Sequence, residues 1–392
     1  MGVALLVPSR IQSLRHGVKM EARERYLFTT RFNYEDALRN GSVMIVPVFL
    51  MNKGCPHRCI FCNTRQIAGK TEEPLTKDHL RRRVARCISP GRHAGGPVEL
   101  AFYGGNFTGM PKREQARLLE ITNTLMEEDL IHRVRIATRP DDLPPDTLAF
   151  LSQHRVGTIE IGVQSMIDDV LERSRRGHTA QDVVRSVRLA KERGFAVSVH
   201  LMAGLPGDTE EYFAETIRKI IALKPDMVRL HPTLVFPETT LAAMYTAGEY
   251  LPLTMANAVS LCKRALTQFD KAGIPLIRLG LQETELMKMP GGILAGPFHP
   301  AFRSLVEASI FLDMAVQLLL KYNAMEKRVC FSVCPRDISS FRGERNGNIH
   351  TLMTRFKLND ITIQPDPALE RGTLVLALAH HGSQQLRRMD QN

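Results

Sequence analysis

Short apolar runs alternate with stretches of helical pattern from residue 43 onward. Each run is brief and largely hydrophobic, as strands buried on both faces of a parallel sheet are. Two of the stretches between them begin with a helix-capping pattern, Thr179 with Asp182 and Asp208 with Glu211. The pattern predicts six strand–helix units, with strands at residues 43–50, 98–103, 133–138, 157–163, 196–203 and 227–235.

Six consecutive βα units predict an α/β fold whose parallel strands are joined by right-handed crossovers in a closed or partly closed barrel. A further apolar run at 274–282 can add a seventh strand. After Pro252 the repeat becomes irregular, with a helix predicted at 255–272 and a Met, Gly and Pro loop at 287–292. A long apolar helix then runs to about Tyr322.

These changes of pattern predict three parts of the chain. Residues 1–42 form an N-terminal extension without a motif. Three interpretations of it stay open: a short helical cap over the barrel, an arm that contacts tRNA, and residues that are present in part because of the choice of start codon. Residues 43–252 form the barrel. Residues 253–392 form a C-terminal α/β extension that can cover the mouth of the barrel, with the loop at 287–292 over the substrate.

Composition narrows the class of protein. The chain has 392 residues, 44% of them hydrophobic, which is enough to bury a large core. Its net charge of +11 favours a polyanionic partner such as nucleic acid. The sequence has no run of 18 apolar residues, so we expect no membrane span. Seven cysteines, an odd number, predict a reducing, cytoplasmic location.

Three of the seven cysteines lie in one loop, C-P-H-R-C-I-F-C, at Cys55, Cys59 and Cys62. A [4Fe-4S] cluster is usually held by four cysteines, so a loop with three leaves one iron open for a substrate or cofactor. The alternative is a structural zinc ion with His57 as the fourth ligand, although no second ligand pair follows at zinc-finger distance. The lone pair Cys330 and Cys334 is interpreted as structural.

The cysteine loop, with Phe61 directly before its third cysteine, resembles the signature of the radical S-adenosylmethionine (radical SAM) enzymes. A narrower resemblance, from about Val43 to about Leu358, is to the radical SAM domain of the Elongator catalytic subunit and its shorter bacterial relatives. It rests on V-P-V-F-L-x3-G-C-P-H-R-C-I-F-C-N, F-Y-G-G-N-F-T-G, T-R-P-D, I-E-I-G-V-Q-S and G-L-P-G-D, which occur in the family's order.

The resemblance implies a partial (β/α)6 TIM-like barrel and a [4Fe-4S] cluster held by the three cysteines. It also implies that the methionine amino and carboxylate groups of S-adenosylmethionine bind the open iron. One electron, supplied by an external electron donor, then cleaves the sulfonium to a 5'-deoxyadenosyl radical.

The other candidate site residues follow strands, where barrels of this type place their active sites. Gly104, Gly105 and Asn106 follow the second strand, and in the family this segment holds the amino group of the methionine part. Asn106 stands where the family often has an acid. Thr138 and Arg139 end the third strand, where a guanidinium can bind a carboxylate in bidentate fashion or form a surface salt bridge.

Glu160 and Gln164 on the fourth strand point to one face, and we favour a polar ligand site over a structural pair. By resemblance to the oxygen-independent coproporphyrinogen oxidases, Gln164 contacts the ribose and Arg176 the cofactor carboxylate, although the register leaves Arg175 as an alternative. His200, where relatives have Asp or Gln, is a cofactor ligand or a core residue. Residues that can contact the substrate, or only shape the fold, are His231, His299, Arg303 and Glu307.

Three functions fit the sequence. The first is an Elongator-type radical SAM enzyme acting on RNA, most simply tRNA, although the last 90 or so residues contain no Gly-rich acetyl-CoA loop like that of the Elongator acetyltransferase domain. The second is a radical SAM enzyme for a small anionic molecule, as in coproporphyrinogen oxidase-like proteins. The third is a non-enzymatic nucleic-acid-binding protein with a structural metal.

Overall fold

The computed structural model describes residues 43–56, 58–69, 75–88, 96–324, 328–378 and 382–390. The predicted N-terminal extension at 1–42 and His57 lie outside these ranges. Across the ranges described, none of the helices is both long and apolar enough to cross a bilayer.

Seven parallel strands form the main sheet, in the order in which they follow one another along the chain. The apolar runs form these strands because both of their faces are covered, and all six residues of the second strand are buried. The run at 274–282 supplies the seventh strand, which pairs with the sixth through Leu276 and Val228. The strands are β1 (Met44–Phe49), β2 (Val98–Tyr103), β3 (Arg133–Thr138), β4 (Val156–Gln164), β5 (Ala196–Ala203), β6 (Met227–Pro232) and β7 (Leu276–Leu279).

The sheet confirms the predicted partial barrel of the α/β class. Its two edges are β1 and β7, and helices connect successive strands. The helices up to the last strand are α1 (Thr64–Ala68), α2 (Lys77–Cys87), α3 (Lys112–Glu127), α4 (Pro145–Gln153), α5 (Asp168–Arg173), α6 (Ala180–Glu192), α7 (Glu210–Leu223), α8 (Thr240–Thr246) and α9 (Met255–Lys271).

Two predicted helix starts differ in outcome. Thr179 and Asp182 form a capping box at α6, as predicted. The prediction of Asp208 as the cap of α7 is wrong by one residue, because Thr209 accepts the hydrogen bond from the Tyr212 amide. Asp208 instead accepts a hydrogen bond from the Gly204 amide at 3.0 Å, which closes the turn after β5.

The C-terminal residues form a second, four-stranded sheet in the order β11-β10-β8-β9. Phe311, Phe331 and Phe341 join this sheet and its helices to the hydrophobic core that also contains Leu100 of the barrel. The two sheets therefore share one core. The remaining elements are α10 (Glu285–Lys288), α11 (Phe302–Lys321), β8 (Arg328–Val333), α12 (Ile338–Arg342), α13 (Gly347–Phe356), β9 (Asp360–Pro365), β10 (Thr373–Leu378) and β11 (Gly382–Arg387).

The candidate substrate contacts on the long helix take part in docking it. Arg303 at the start of α11 donates hydrogen bonds to Glu307 at 2.8 Å and to the Leu276 carbonyl of β7 at 2.7 Å. Glu307 is buried and also accepts from Ser340. The nitrogen Nδ1 of His299 accepts from the Ala301 amide at the same helix start. These bonds hold α11 against the edge of the main sheet.

Candidate active site

A cavity of about 1400 Å³ lies inside the curved main sheet. Residues of all seven strands line it, and the C-terminal sheet region adds Arg371 and Arg388. Cys55, Cys59 and Cys62 lie in its wall, in the loop that follows β1. This is the end of the barrel at which active sites of this architecture are found.

The cysteine loop is fixed from both sides. The Ile60 amide donates to the Ser174 carbonyl at 3.3 Å, and the Ile60 carbonyl accepts from the Leu241 amide at 2.9 Å. Phe61 also lines the cavity and packs against Met202 and Leu205. Its ring therefore anchors the loop to the turn after β5, and its predicted contact with the cofactor stays a prediction.

Gly54 sets the turn that leads into Cys55. Its φ of +75° lies in the left-handed region, which favours glycine. Its carbonyl accepts a hydrogen bond from the side-chain Nδ2 of Asn106 at 3.0 Å. A Cβ at this position would lie 2.0 Å from the Asn106 carbonyl oxygen and 2.7 Å from the Met110 nitrogen. Only glycine fits between the cysteine loop and the loop after β2.

Substitution of this glycine tests how far the cysteine loop depends on the turn. We expect Gly54→Ala to lower the free energy of unfolding by about 2–4 kcal/mol, because a steric clash adds to the unfavourable φ. Gly248→Ala is the matched control, because the φ of Gly248 is also +75° but nothing lies within 4 Å of an added Cβ. We expect this variant to lose about 1 kcal/mol of the free energy of unfolding, from the backbone conformation alone. Urea unfolding and iron content per chain measure both effects. Equal losses in the two variants would contradict this role of Gly54.

The segment after β2 packs closely against β1 and the residues on either side of the cysteine loop. A Cβ on Gly104 would lie 2.8 Å from Thr64 and 2.9 Å from Phe49, and one on Gly105 would lie 2.7 Å from the Lys53 carbonyl. Both glycines line the cavity. Their predicted role in holding the methionine amino group stays a prediction, and the structure adds a packing reason for both.

Asn106 does not line the cavity. Its buried side chain accepts hydrogen bonds from the Arg139 amide at 3.1 Å and from Thr138 at 3.0 Å, and it contacts Asp142. It therefore joins the loops after β1, β2 and β3, which is a positioning role. The prediction of a cofactor contact by the Asn106 side chain is not supported by this geometry.

Thr138 and Arg139 both line the cavity. The Arg139 guanidinium donates to both carboxylate oxygens of Asp141, at 3.0 and 2.8 Å. Arg139 is only 5% exposed, so this is not the surface salt bridge that the sequence left open. The paired guanidinium faces the cavity as a fixed positive group.

Glu160 lies in a buried ion-pair network on the inner face of the sheet. One carboxylate oxygen accepts from Arg135 at 3.2 Å and the other from Arg229 at 2.6 Å. Arg135 also pairs with Glu99 at 2.8 Å. Glu160 lines the cavity while each of its oxygens accepts from an arginine, so the structure shows a structural pairing, and the predicted contact of Glu160 with a ligand stays a prediction.

Gln164 and Arg176 meet the cavity near Cys59. The Arg176 guanidinium donates to the Cys59 sulfur at 2.9 Å and to the Gly162 carbonyl at 2.6 Å. Arg175 is exposed, with φ of +51°, and its side chain is not in the cavity wall. Gln164, at the end of β4, also has a positive φ of 67°. The structure thus favours Arg176 over Arg175 as the arginine beside the cysteines.

His200 and His231 line the cavity as a contacting pair, with ring centroids 4.7 Å apart and ring planes tilted by 49°. Burial, followed by the neighbouring His231, lowers the pKa of His200 well below its usual value. Burial also lowers the pKa of His231 to about 4. Both imidazoles are therefore neutral at pH 7. His231 donates its Nδ1–H to the Pro232 carbonyl at 3.2 Å, which leaves its Nε2 as an acceptor, and His200 Nε2 has no partner among the described residues.

Two of the thiols, Cys55 and Cys62, are protonated when nothing is bound to them. Burial, followed by repulsion from Cys62 and Cys59, raises the pKa of Cys55 to about 11. Burial likewise raises the pKa of Cys62. Binding of iron must therefore displace protons from these sulfurs, which links cluster assembly to pH.

Three thiols in one loop are the donor set of an iron–sulfur cluster. Among the described residues, no three His, Cys, Asp or Glu side chains converge closely enough to hold one metal ion. The ligands of an iron–sulfur cluster bind different irons and need no such convergence. His57, the fourth ligand of the zinc alternative, lies outside the described residues.

The cavity also fits S-adenosylmethionine. Three polar atoms of its lining are buried with no hydrogen-bond partner in the described part of the chain, namely Gln164 Oε1, Arg176 Nε and His200 Nε2. Unpaired buried polar atoms are costly, so a ligand that pairs with them stabilises the protein. The amino, carboxylate, ribose and adenine groups of this cofactor supply suitable donors and acceptors.

Sequence reasoning missed Arg135, Arg229 and Arg278 on the inner face of the sheet. Each lies inside a strand that is otherwise mostly apolar, where a charged side chain needs a partner. Alternate residues of a strand point to the same face of the sheet, and the arginines share that face with Glu99 and Glu160. The presence of both charges inside apolar strands was the signal in the sequence that could have identified the network.

Comparisons with known proteins identify the family of the chain. The family model described as the radical SAM superfamily matches residues 49–220, and the model of the radical SAM C-terminal domain matches residues 225–311. The tRNA uridine(34) acetyltransferase of Methanocaldococcus jannaschii is 29% identical over 270 residues, which are 59% of this chain and 50% of that protein. Elongator complex protein 3 of Homo sapiens is 35% identical over 271 residues, 58% of this chain and 49% of that protein.

The fold is also that of a solved relative. The structure of the archaeal Elp3 of Methanocaldococcus infernus, with an N-terminal deletion, superimposes with a TM-score of 0.53 at 20% identity, covering 86% of this chain and 73% of that one. The chain spans about half the length of the curated relatives it matches. Because the two family models together span more than half of its residues, the chain belongs to the radical SAM superfamily, whose enzymes use a [4Fe-4S] cluster and S-adenosylmethionine.

Proposed function

We propose that this radical SAM enzyme modifies tRNA. The observation that carries the proposal is the charge of the cavity, whose described lining contains ten arginines against four carboxylates. Phosphate groups make RNA a polyanion, and arginine binds phosphate in bidentate fashion. The similarity to a tRNA uridine(34) acetyltransferase favours tRNA, and uridine 34 is the first position to examine.

We assign the cluster to Cys55, Cys59 and Cys62, and S-adenosylmethionine to the adjacent wall of the cavity. A cluster held there would supply, with an electron from an external donor, the one-electron reductive cleavage of S-adenosylmethionine. The chain itself must hold these groups, keep water out and present one C–H bond or base carbon of the RNA.

Individual side chains have distinct tasks in this assignment. Gln164 and Arg176 pair their unsatisfied polar atoms with the cofactor, and Arg176 also donates to the Cys59 sulfur. Neutral His200 takes a further polar group of the same ligand. Backbone groups at Gly104 and Gly105 contact the methionine part, while Phe61 keeps the cysteine loop in place.

The test of the tRNA assignment is product analysis with the cluster-loaded protein. We expect unfractionated tRNA to increase formation of 5'-deoxyadenosine and to yield a nucleoside of altered mass after digestion. DNA of similar length is the control polyanion. If small anionic metabolites from a cell extract stimulate the reaction and tRNA does not, the tRNA proposal is wrong and the substrate is a small acid.

A pair of adjacent arginines tests the assignment of the cofactor site. Arg176→Gln is expected to weaken the binding of S-adenosylmethionine to cluster-loaded protein by about 10- to 100-fold, because a buried charged hydrogen-bond donor is lost. Arg175→Gln removes the same charge from an exposed side chain, and its affinity is expected to stay near the wild-type value. Equilibrium dialysis measures both. Equal affinities in the two variants would refute the role of Arg176.

A further inference from the structure

One arginine on the inner face of the sheet has no carboxylate partner among the residues that the structure describes. Arg278 of β7 is half-buried and lines the cavity, and its Nε donates to the Gly280 carbonyl at 3.1 Å. Within the ranges that the structure describes, no carboxylate lies within salt-bridge distance of it. This distinguishes Arg278 from the other charged groups of the inner sheet face.

The contrast with the adjacent arginine is direct, because Arg229 of β6 is the Cα partner of Arg278. Arg229 donates to Glu160 at 2.6 Å and lies 4.8 Å from the centre of the Tyr103 ring. Although burial works against its charge, Glu160 raises the pKa of Arg229. Burial, followed by Arg229 and Arg303, lowers the pKa of Arg278. Arginine nevertheless stays protonated in proteins, so Arg278 is a positive charge that no carboxylate of the described ranges neutralises.

Charge balance leads to the same conclusion. Glu99 and Glu160 pair with Arg133, Arg135 and Arg229 in one connected network, so each carboxylate of this network already has arginine partners. Arg278 adds a further positive charge to this face. A partly desolvated charge without a partner is unfavourable, and the cost is removed when an anion binds.

The register shows where such an anion would lie. Across neighbouring strands, the Cα partner of Arg278 is Arg229, and the Cα partner of Arg229 is His200. His200 in turn is paired with Gly162, whose carbonyl accepts a hydrogen bond from Arg176. Arg278 and the cofactor residues thus share one layer of the sheet, three strand spacings or about 14 Å apart along it. The space between them belongs to the same cavity.

We propose that Arg278 binds an oxyanion of the substrate, the phosphate group of the nucleotide that enters the cavity. The proposal rests on the proposed function, because it names the group of the RNA that the site holds. A guanidinium fixes such a phosphate through two parallel N–H···O bonds and so orients the attached nucleoside toward the cofactor wall. Enzymes that act on a base must hold its nucleotide out of the stack, and a fixed phosphate contact contributes to that.

The test compares Arg278→Gln, Arg278→Lys and the control Arg193→Gln, which removes an equal charge from an exposed position at the end of α6. Binding of fluorescent unfractionated tRNA to cluster-loaded protein is measured over a series of KCl concentrations. Arg278→Gln is expected to weaken binding by about 5- to 10-fold and to reduce the slope of log affinity against log salt by about one. Arg278→Lys is expected to keep the salt slope but to recover only part of the affinity, and all variants should bind S-adenosylmethionine like wild type.

Each outcome decides one proposal. If wild type and Arg278→Gln bind tRNA with equal affinity and slope, Arg278 does not bind the phosphate, while the tRNA proposal stands. If wild type does not bind tRNA, the tRNA proposal fails, and thermal stabilisation by inorganic phosphate then decides the anion site. Stabilisation of wild type and Arg193→Gln but not of Arg278→Gln would retain an oxyanion site for a small substrate. Equal stabilisation of all three would overturn it.

Discussion

Replacing Cys59 with alanine is expected to prevent cluster assembly and to lower 5'-deoxyadenosine formation by a factor on the order of 100 or more, since two thiolates cannot hold a cluster that three are needed to anchor. Cys59 also accepts the Arg176 hydrogen bond, so the substitution removes the contact that joins the cluster loop to the proposed cofactor wall. Iron and sulfide content per chain and the amount of 5'-deoxyadenosine after anaerobic reconstitution are the measurements.

Cys330→Ala is the matched control for this variant. Cys330 is a half-buried thiol on β8, in the C-terminal sheet, and does not line the cavity. The Cys330→Ala variant should assemble as much cluster as wild type and form as much 5'-deoxyadenosine. Full cluster content and activity in Cys59→Ala would refute the assignment of the cysteine loop, and equal losses in both variants would show a general effect of thiol removal.

Replacing Arg135 with methionine is expected to lower the free energy of unfolding by about 3–5 kcal/mol. The side chain is fully buried and pairs with Glu99 at 2.8 Å and with Glu160 at 3.2 Å. Methionine has nearly the volume of arginine, so the substitution leaves only a small cavity. It removes the positive charge that Glu99 and Glu160 share, however, and the two carboxylates stay buried. Their mutual repulsion and desolvation account for the expected loss.

Urea unfolding of the protein without its cofactors measures this effect. Arg218→Met provides the same substitution in an exposed pair with Glu215, where the free energy of unfolding should stay close to wild type. A loss in Arg135→Met no larger than that in Arg218→Met would show that the inner network does not stabilise the sheet.

Local patterns were sufficient to predict the barrel. Buried parallel strands need uninterrupted apolar runs, and the segments at 98–103 and 133–138 coincide with β2 and β3. The cysteine spacing was equally local, so three candidate ligands could be named without any tertiary information. Strand ends were less exact, and β7 covers only Leu276–Leu279 of the run at 274–282.

Contacts between distant segments could not be predicted. Asn106 was a candidate ligand because of its sequence neighbours, yet it joins three loops through Gly54, Thr138 and Arg139. Of two consecutive arginines, Arg176 contacts Cys59, and Arg175 with its positive φ lies in the turn before it. Both facts depend on the tertiary arrangement of the loops.

The central claim is that three cysteines hold a cluster with one iron open to S-adenosylmethionine. Electron paramagnetic resonance of the reduced, reconstituted protein, recorded with and without the cofactor, tests it most directly. We predict a [4Fe-4S] signal whose g-values shift when S-adenosylmethionine is added, and no such signal in Cys59→Ala. A fully loaded cluster with a spectrum that the cofactor leaves unchanged would contradict the account.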